Sequence, residues 1–264
     1  MSIIRRHLKD LKRPPQPSGL RWLPSPFFLL ASCFLLLVFL SPAHADTMSG
    51  LVAWWKLDDG SGTSAADATG NGHTGTLHNI SNPATATSGW TANGKRGGAL
   101  IFDGNDDQVS IAVINSTTTF TIAAWIYQLP GGDLNAILLQ NATAGMVTWD
   151  DGGGGLVIQW ANADGSDTVS STRMDFNQWY HVAAVSDGGV LTLYINGAFV
   201  GTGTVNASVP FDSVGGDTGG DVTKGILDDV RLYSRALSAG DIQQLFQGGA
   251  IIRNAVLRNG KMNN

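Results

Sequence analysis

"GILDDVRLYSRALSAGDIQQLF", residues 225–246, joins a strand to a helix and sets two aspartates inside the strand. Apolar residues recur through "ILDDVRLY" at strand spacing. Strict alternation puts Ile226, Asp228, Val230 and Leu232 on one face and Leu227, Asp229, Arg231 and Tyr233 on the other. Asp228 then sits on the apolar side. A carboxylate buried there without partners costs several kcal/mol, so it is expected to hold either a cation or several backbone N–H donors. After the strand, Ser238 and Asp241 have capping-box spacing, Ile242, Leu245 and Phe246 share one helical face, and Gly248-Gly249 stop the helix. This short C-terminal helix is expected to close one end of the fold.

Working outward, the chain from Gly50 onward repeats the strand pattern: "LVAWWKL", "ALIFDG", "QVSIAV", "FTIAAWIY", "AILLQ", "LVIQW", "YHVAAV" and "LTLYING". Many short β-rich runs separated by Gly, Asn, Asp and Ser clusters predict an all-β sandwich or barrel. The 34 glycines gather at turns without a fixed period, so they are read as turn chemistry and not as a linker or repeat.

Residues 1–45 read as a secretory signal. Six basic residues precede the unbroken apolar run Phe27–Leu40, and "SPAHA" offers small residues for cleavage after Ala45. Fourteen apolar residues fall short of the ~20 needed to span a bilayer as a helix, so no membrane span is expected once the signal is removed. Cys33 is the only cysteine and leaves with the leader, which excludes disulfides, thiol nucleophiles and thiolate metal sites from the mature chain. Residues 46–264 hold ten basic and twenty acidic residues, a net charge of −10. Such a surface disfavours nucleic acid and anionic membranes. One domain is expected over 46–250, followed by a polar tail, 251–264.

Four segments carry a family resemblance: "GLVAWWKLDDGSGTSAADATGNGHTGTL", "GGALIFDGNDDQVSI" with "FTIAAWIY", "WYHVAAVSDGGVLTLYINGAFVG", and the opening stretch. In this order they resemble the laminin-G-like jelly-roll modules of the concanavalin A-like lectin and glucanase superfamily. The resemblance covers about residues 49–248. It implies two large curved antiparallel sheets with the first and last strands adjacent, in a family of sugar-binding and adhesive modules. Many members have an aromatic where Gln108 stands, and this departure weakens any reading of Asp106 and Asp107 as more than turn residues.

Glucan-cleaving enzymes of the superfamily use glutamates, yet all 21 acids of this chain are aspartates. Paired catalytic carboxylates must also face each other about 5–9.5 Å apart across the substrate, which adjacent strand doublets do not. The sequence therefore predicts a non-enzyme. Loops like "DATGNGHTG" (67–75) in similar modules hold structural calcium, a cation that takes six to eight hard oxygens. On that resemblance Asp67, Asn71, Asp228 and Asp229 are the candidate calcium ligands. The alternative is that Asp67 and Asp228 only tie down backbone amides. Laminin-G and pentraxin modules place ligands at the sandwich rim, which nominates Asp150, Asp151, Asp217 and Asp221 beside the reading of all four as solvated turn acids.

Trp90 and Trp149 are read as loop tryptophans able to stack on sugar rings, whereas Trp55, Trp125 and Trp179 are read as structural and Trp160 as either. His181 is expected to be a hydrogen-bonded structural histidine. No Gly-x-Ser-x-Gly turn, His-x-x-x-His spacing or phosphate loop occurs after the leader. Together these features predict a secreted, non-catalytic, lectin-like glycan-binding module, calcium-stabilised at most structurally, in the extracellular space or cell envelope. The alternative is a surface or matrix protein that binds an extracellular protein partner without sugar affinity. A concave face lined by Trp and polar groups favours the first, and a flat apolar patch the second.

Overall fold

A computed structural model describes residues 47–131, 134–140, 144–150, 155–217 and 221–248. The signal (1–45), the tail (251–264) and Asp151 lie outside the described residues. The strands are β1 Leu51–Trp55, β2 Ser64–Ala65, β3 Gly75–His78, β4 Gly89–Thr91, β5 Ala99–Asp103, β6 Gln108–Asn115, β7 Phe120–Gln128 and β8 Leu134–Gln140. They continue with β9 Ala144–Asp150, β10 Leu156–Ala161, β11 Thr168–Val169, β12 Trp179–Asp187, β13 Val190–Ile195, β14 Ala198–Thr204, β15 Pro210–Val214 and β16 Lys224–Tyr233. One helix follows, α1 Ala239–Gln247.

The strands form two eight-stranded antiparallel sheets, as the β-rich pattern predicts. Sheet I runs β14-β13-β12-β7-β16-β5-β4, with β1 also paired to β16, and sheet II runs β11-β10-β9-β8-β15-β6-β3-β2. The first strand thus pairs with the last, through Trp54↔Arg231 and Trp55↔Val230. Between the sheets, Phe102, Ile122, Ile126, Val182 and Leu227 meet Val109, Met146, Ile158, Trp160 and Phe211. Phe120 packs against Trp160 at 5.2 Å and edge-on to Phe211 at 5.6 Å between ring centroids. Each fully buried side chain of this size contributes about 1.5–3 kcal/mol, a disulfide-free route to stability.

The opening stretch departs from strict alternation at one residue. The register of β16 against β7 shifts between Asp228 and Arg231, and Asp229 adopts a left-handed backbone with φ 56°. An extra residue in one strand resets which face the following side chains occupy. Leu227, Val230 and Leu232 all face the inter-sheet core, whereas Tyr233 faces the opposite side. Asp228 pairs with Trp125, whose ring lies against Phe246 of α1, so Asp228 points to the outer face and not to the side of Val230 and Leu232. The bulge brings both aspartates of the doublet to that outer face.

The helix has its expected caps: Ser238 and Asp241 form a capping box, and Gly248 ends it with φ 117°. Its position differs from the expected one. Ile242 and Leu245 pack on Ala123, Ala183, Val185 and Tyr233, the outer face of sheet I, instead of closing an end of the sandwich. Ala123 and Ala183 are small enough to let a helix lie close over the sheet.

Candidate binding site

Two regions gather the chemistry-bearing side chains: a polar cluster beneath α1 and an acidic rim at one end of the sandwich. In the first, Asp229 accepts a hydrogen bond from Nε1 of Trp54, and Arg231 clasps both its oxygens at 3.0 Å. The Arg231 guanidinium lies 4.2 Å from the Trp54 ring centre. Arg96 approaches Asp229 at 3.8 Å and donates to the carbonyls of Leu245 and Phe246 at 2.6 and 3.1 Å. It thereby caps the C-terminus of α1, whose last turn has no basic residue of its own.

Asp228 is 0% exposed; one carboxylate oxygen accepts the Arg96 amide at 2.7 Å and the other has no hydrogen-bond partner among the described residues. Burial is the main cause that pushes its carboxyl up to about 7, against the pull of the Arg96 amide and with further repulsion from Asp229 and Asp58. His181 is buried beside the rings of Trp125 and Phe246, 5.3 and 6.2 Å away between centroids. Burial, followed by the charges of Arg96 and Arg231, pushes its imidazole down to about 3, so it is neutral. Its Nδ1 makes no hydrogen bond to a described residue, unlike the satisfied histidine expected from sequence. Arg96, Trp125 and His181 touch α1 and hold it to the sheet.

Asp67 sits elsewhere in hydrogen-bond terms. Its oxygens accept from the amides of Trp54, Thr69 and His73 at 3.0–3.1 Å and from the Thr69 hydroxyl at 2.7 Å. Burial raises its carboxyl, but these donors outweigh it and hold the group below the usual carboxylate range. Asn71 is exposed and donates to the Val52 carbonyl at 2.8 Å. Thus Asp67 and Asn71 bind their own loop to β1, while Asp228 binds the 95–96 segment and Asp229 binds Arg231. Trp54 donates to both Asp67, through its amide, and Asp229, through its ring, and Arg96 meets both Asp228 and Asp229, so protein donors engage these acids and Asp67 has the geometry of the amide-tethering alternative.

The second region follows from strand register. The strand ends at Asp103, Gln108, Gln128, Asp150, Leu156, Trp179, Val214 and Lys224, with the described residues next to them, all lie at the same end of the two sheets, as the pairs Lys224↔Asp103, Val214↔Val109, Gly225↔Gln128, Leu156↔Asp150 and Trp179↔Tyr127 require. Their described residues include Asp103, Asp106, Asp107, Asp150, Asp175, Asp217 and Asp221, against the cations Arg173 and Lys224. Asp150, Asp217 and Asp221 of the expected rim set are therefore on one rim.

Local roles occupy several of these acids. Asp103 ties down the amide and side chain of Asn105 at 2.8 and 2.9 Å, and buried Asp107 accepts the Asp103 amide at 2.9 Å, the expected turn chemistry. Among the described residues, Asp103, Asp106 and Asp107 each place one oxygen within 4.8 Å of the others. Asp217 accepts the Asp221 amide at 3.2 Å; burial, then the charge of Asp217, raises the Asp221 carboxyl.

Trp149 borders this rim. It lies near the end of β9, not in a loop as expected, and is 37% exposed. Its neighbour Thr148 is buried and bonds to Gln128 of sheet I at 2.6 Å, so Thr148 points inward and Trp149 outward, opposite Val157 of β10. Trp90 corrects the other half of that expectation. It belongs to β4, is 7% exposed, and donates Nε1 to the Gly62 carbonyl at 3.0 Å, which removes its ring from solvent. Trp55, Trp125 and Trp160 are buried and Trp179 half-buried.

Sequence reading missed Arg96 and the Trp54–Arg231–Asp229 stack. The i, i+2 spacing of Asp229 and Arg231 signalled a same-face pair, and a basic residue amid Gly94, Gly97 and Gly98 signalled a tight segment with a buried role.

The family model described as "Concanavalin A-like lectin/glucanases superfamily" (Laminin_G_3) matches residues 103–243, more than half of the chain. The chain belongs to this family. Among solved structures it is similar to domain 4 of AbnA, an extracellular family GH43 arabinanase from Geobacillus stearothermophilus, in complex with arabinotriose. The two share 21% identity at a TM-score of 0.60, over 75% of this chain and 98% of that one. It is also similar to the binding domain of Paraclostridial Mosquitocidal Protein 1 (18%, 0.54, covering 76% of this chain and 52% of that one). A third similarity is to Trypanosoma rangeli sialidase in complex with sialic acid (14%, 0.56, 76% and 33%). The chain thus spans about half of the second and a third of the third, and these likenesses establish the antiparallel jelly-roll sandwich. No curated protein matches the chain significantly. No helix among the described residues is long and apolar enough to cross a membrane.

Proposed function

We propose that this chain is a secreted, non-catalytic glycan-binding module that stacks sugar rings on Trp149 at the acidic rim. The observation that carries the reading is the exposure of Trp149: at 37% it is the most exposed of the described tryptophans, with Trp54 and Trp179 half-buried, and it adjoins the rim that holds Asp150. An amphipathic ring flanked by polar acceptors suits the apolar C–H face and hydroxyl edge of a sugar. The structural likeness to an arabinanase domain in complex with arabinotriose supports the same reading without specifying the sugar.

The non-catalytic part of the proposal rests on the acids. Asp103, Asp107 and Asp217 of the rim tie down their own turns, and the most strongly perturbed carboxyl, Asp228, is buried against the 94–96 segment. The test is retention of the purified protein on a panel of immobilised glycans, beside the Trp149→Ala variant. Retention lost in the variant, with the melting temperature unchanged, supports the proposal. A variant retained as well as the parent overturns the placement of the platform, and no retention of the parent overturns the glycan reading.

A further inference from the structure

We infer that the Trp149 face selects glycans that carry no acidic groups and rejects polyanionic ones such as polyuronates and sulfated polysaccharides. The inference rests on the proposed platform and names its ligand class. The seven aspartates described on the rim turns face only Arg173 and Lys224, so any chain lying across Trp149 enters a field of excess negative charge. Asp106 and Asp175 are exposed, and Asp150 is half-exposed and adjoins Trp149 in sequence, so this charge acts through solvent on an arriving ligand. Such fields act over about a Debye length, roughly 10 Å at 0.1 M salt, which reaches the sugar units stacked on and next to the ring. Residues 46–264 carry a net charge of −10, of the same sign as the rim. An uncharged hydroxyl-rich chain meets no such barrier.

The experiment measures retention on uncharged polysaccharides (arabinan, xylan, galactan and β-glucan) and on polygalacturonate, alginate and heparin, all in chelator, at low and high salt. The retained uncharged glycan is then carboxymethylated and compared with its parent. The expected result is about tenfold or weaker affinity for the carboxymethylated form at low salt, with the gap narrowing as salt screens the rim. Asp106→Asn with Asp175→Asn, both exposed, should narrow the gap by about two- to threefold at low salt without weakening the uncharged glycan. Equal retention of both forms, tighter binding of the anionic form at low salt, or no response to the double variant overturns the inference and leaves the platform standing. Failure to retain any glycan of either class removes the platform itself, and the inference with it.

Discussion

Replacing Asp229 by asparagine isolates the charge that holds the last strand, the first strand and the helix together. The side chain is 9% exposed and meets Arg231, 8% exposed, in a two-oxygen clasp, with Trp54 and Arg96 as further partners. Asparagine keeps the volume and tolerates the left-handed backbone at φ 56°, so the substitution adds no strain and leaves a buried guanidinium without its counter-charge. Breaking a buried ion pair from one side costs about 3–5 kcal/mol; the lower end applies because Arg96, 22% exposed, partly retains water. For a domain of this size each kcal/mol lowers the melting temperature by about 2–4 °C, so Asp229→Asn should melt about 6–12 °C below the parent. Arg231→Met with Asp229→Asn removes both charges, keeps a flexible apolar stem over Trp54, and should recover more than half of that loss. Thermal and urea unfolding of the four proteins in one cycle measures the coupling. A single variant within 2 °C of the parent, or a double variant less stable than the single, would refute the argument that charge pairing and not shape holds this corner.

Further outcomes follow from the other buried groups. Asp228 has a carboxyl raised from its ordinary value to about 7, so its contribution to stability is full below about pH 4 and is lost as pH rises through about 7. Asp228→Asn, which keeps an acceptor for the Arg96 amide, should therefore stabilise the protein at pH 8 by at least about 1 kcal/mol and leave it unchanged at pH 4, in urea unfolding at the two pH values. Trp90→Ala removes a buried ring and its hydrogen bond and should cost about 3–5 kcal/mol, while Trp149→Ala should cost less than about 1 kcal/mol and act on binding alone. Asp67 already has its charge met by N–H and O–H donors, so chelator should move the melting temperature by less than about 2 °C, whereas Asp67→Ala orphans several of them and should cost about 2 kcal/mol or more. A chelator shift as large as that of Asp67→Ala would restore the calcium reading of this loop.

The two-sheet architecture was legible because strand periodicity and glycine-rich turns are local signals. The pairing of β1 with β16 came from the family resemblance, and the helix from its own caps. What the residues did not disclose depends on geometry that pairs distant segments. Alternation placed Asp228 on the core side because nothing in "ILDDVRLY" announces a bulge; an aspartate in the left-handed region is unremarkable by type, and the reset appears only in the register against β7. Trp90 and Trp149 show the same limit. Both were read as loop residues, yet β4 carries one under the Gly62 carbonyl and β9 turns the other to solvent, a difference set by neighbours far away in sequence.

The bulge also explains how the most suggestive motif of the sequence is built into the fold. Without the extra residue, Asp229 would take the inward direction of Leu227 and a carboxylate would enter the inter-sheet core. With it, both aspartates reach the outer face, where Arg96 and Arg231 come from separate segments to meet them. Arg96 binds Asp228 through its amide, approaches Asp229 with its side chain, and caps α1, so one residue joins the strand doublet to the helix. The doublet therefore acts in docking the helix onto sheet I. The acids left near solvent are those of the rim turns, beside the exposed Trp149, and it is there that charge can still act on a ligand.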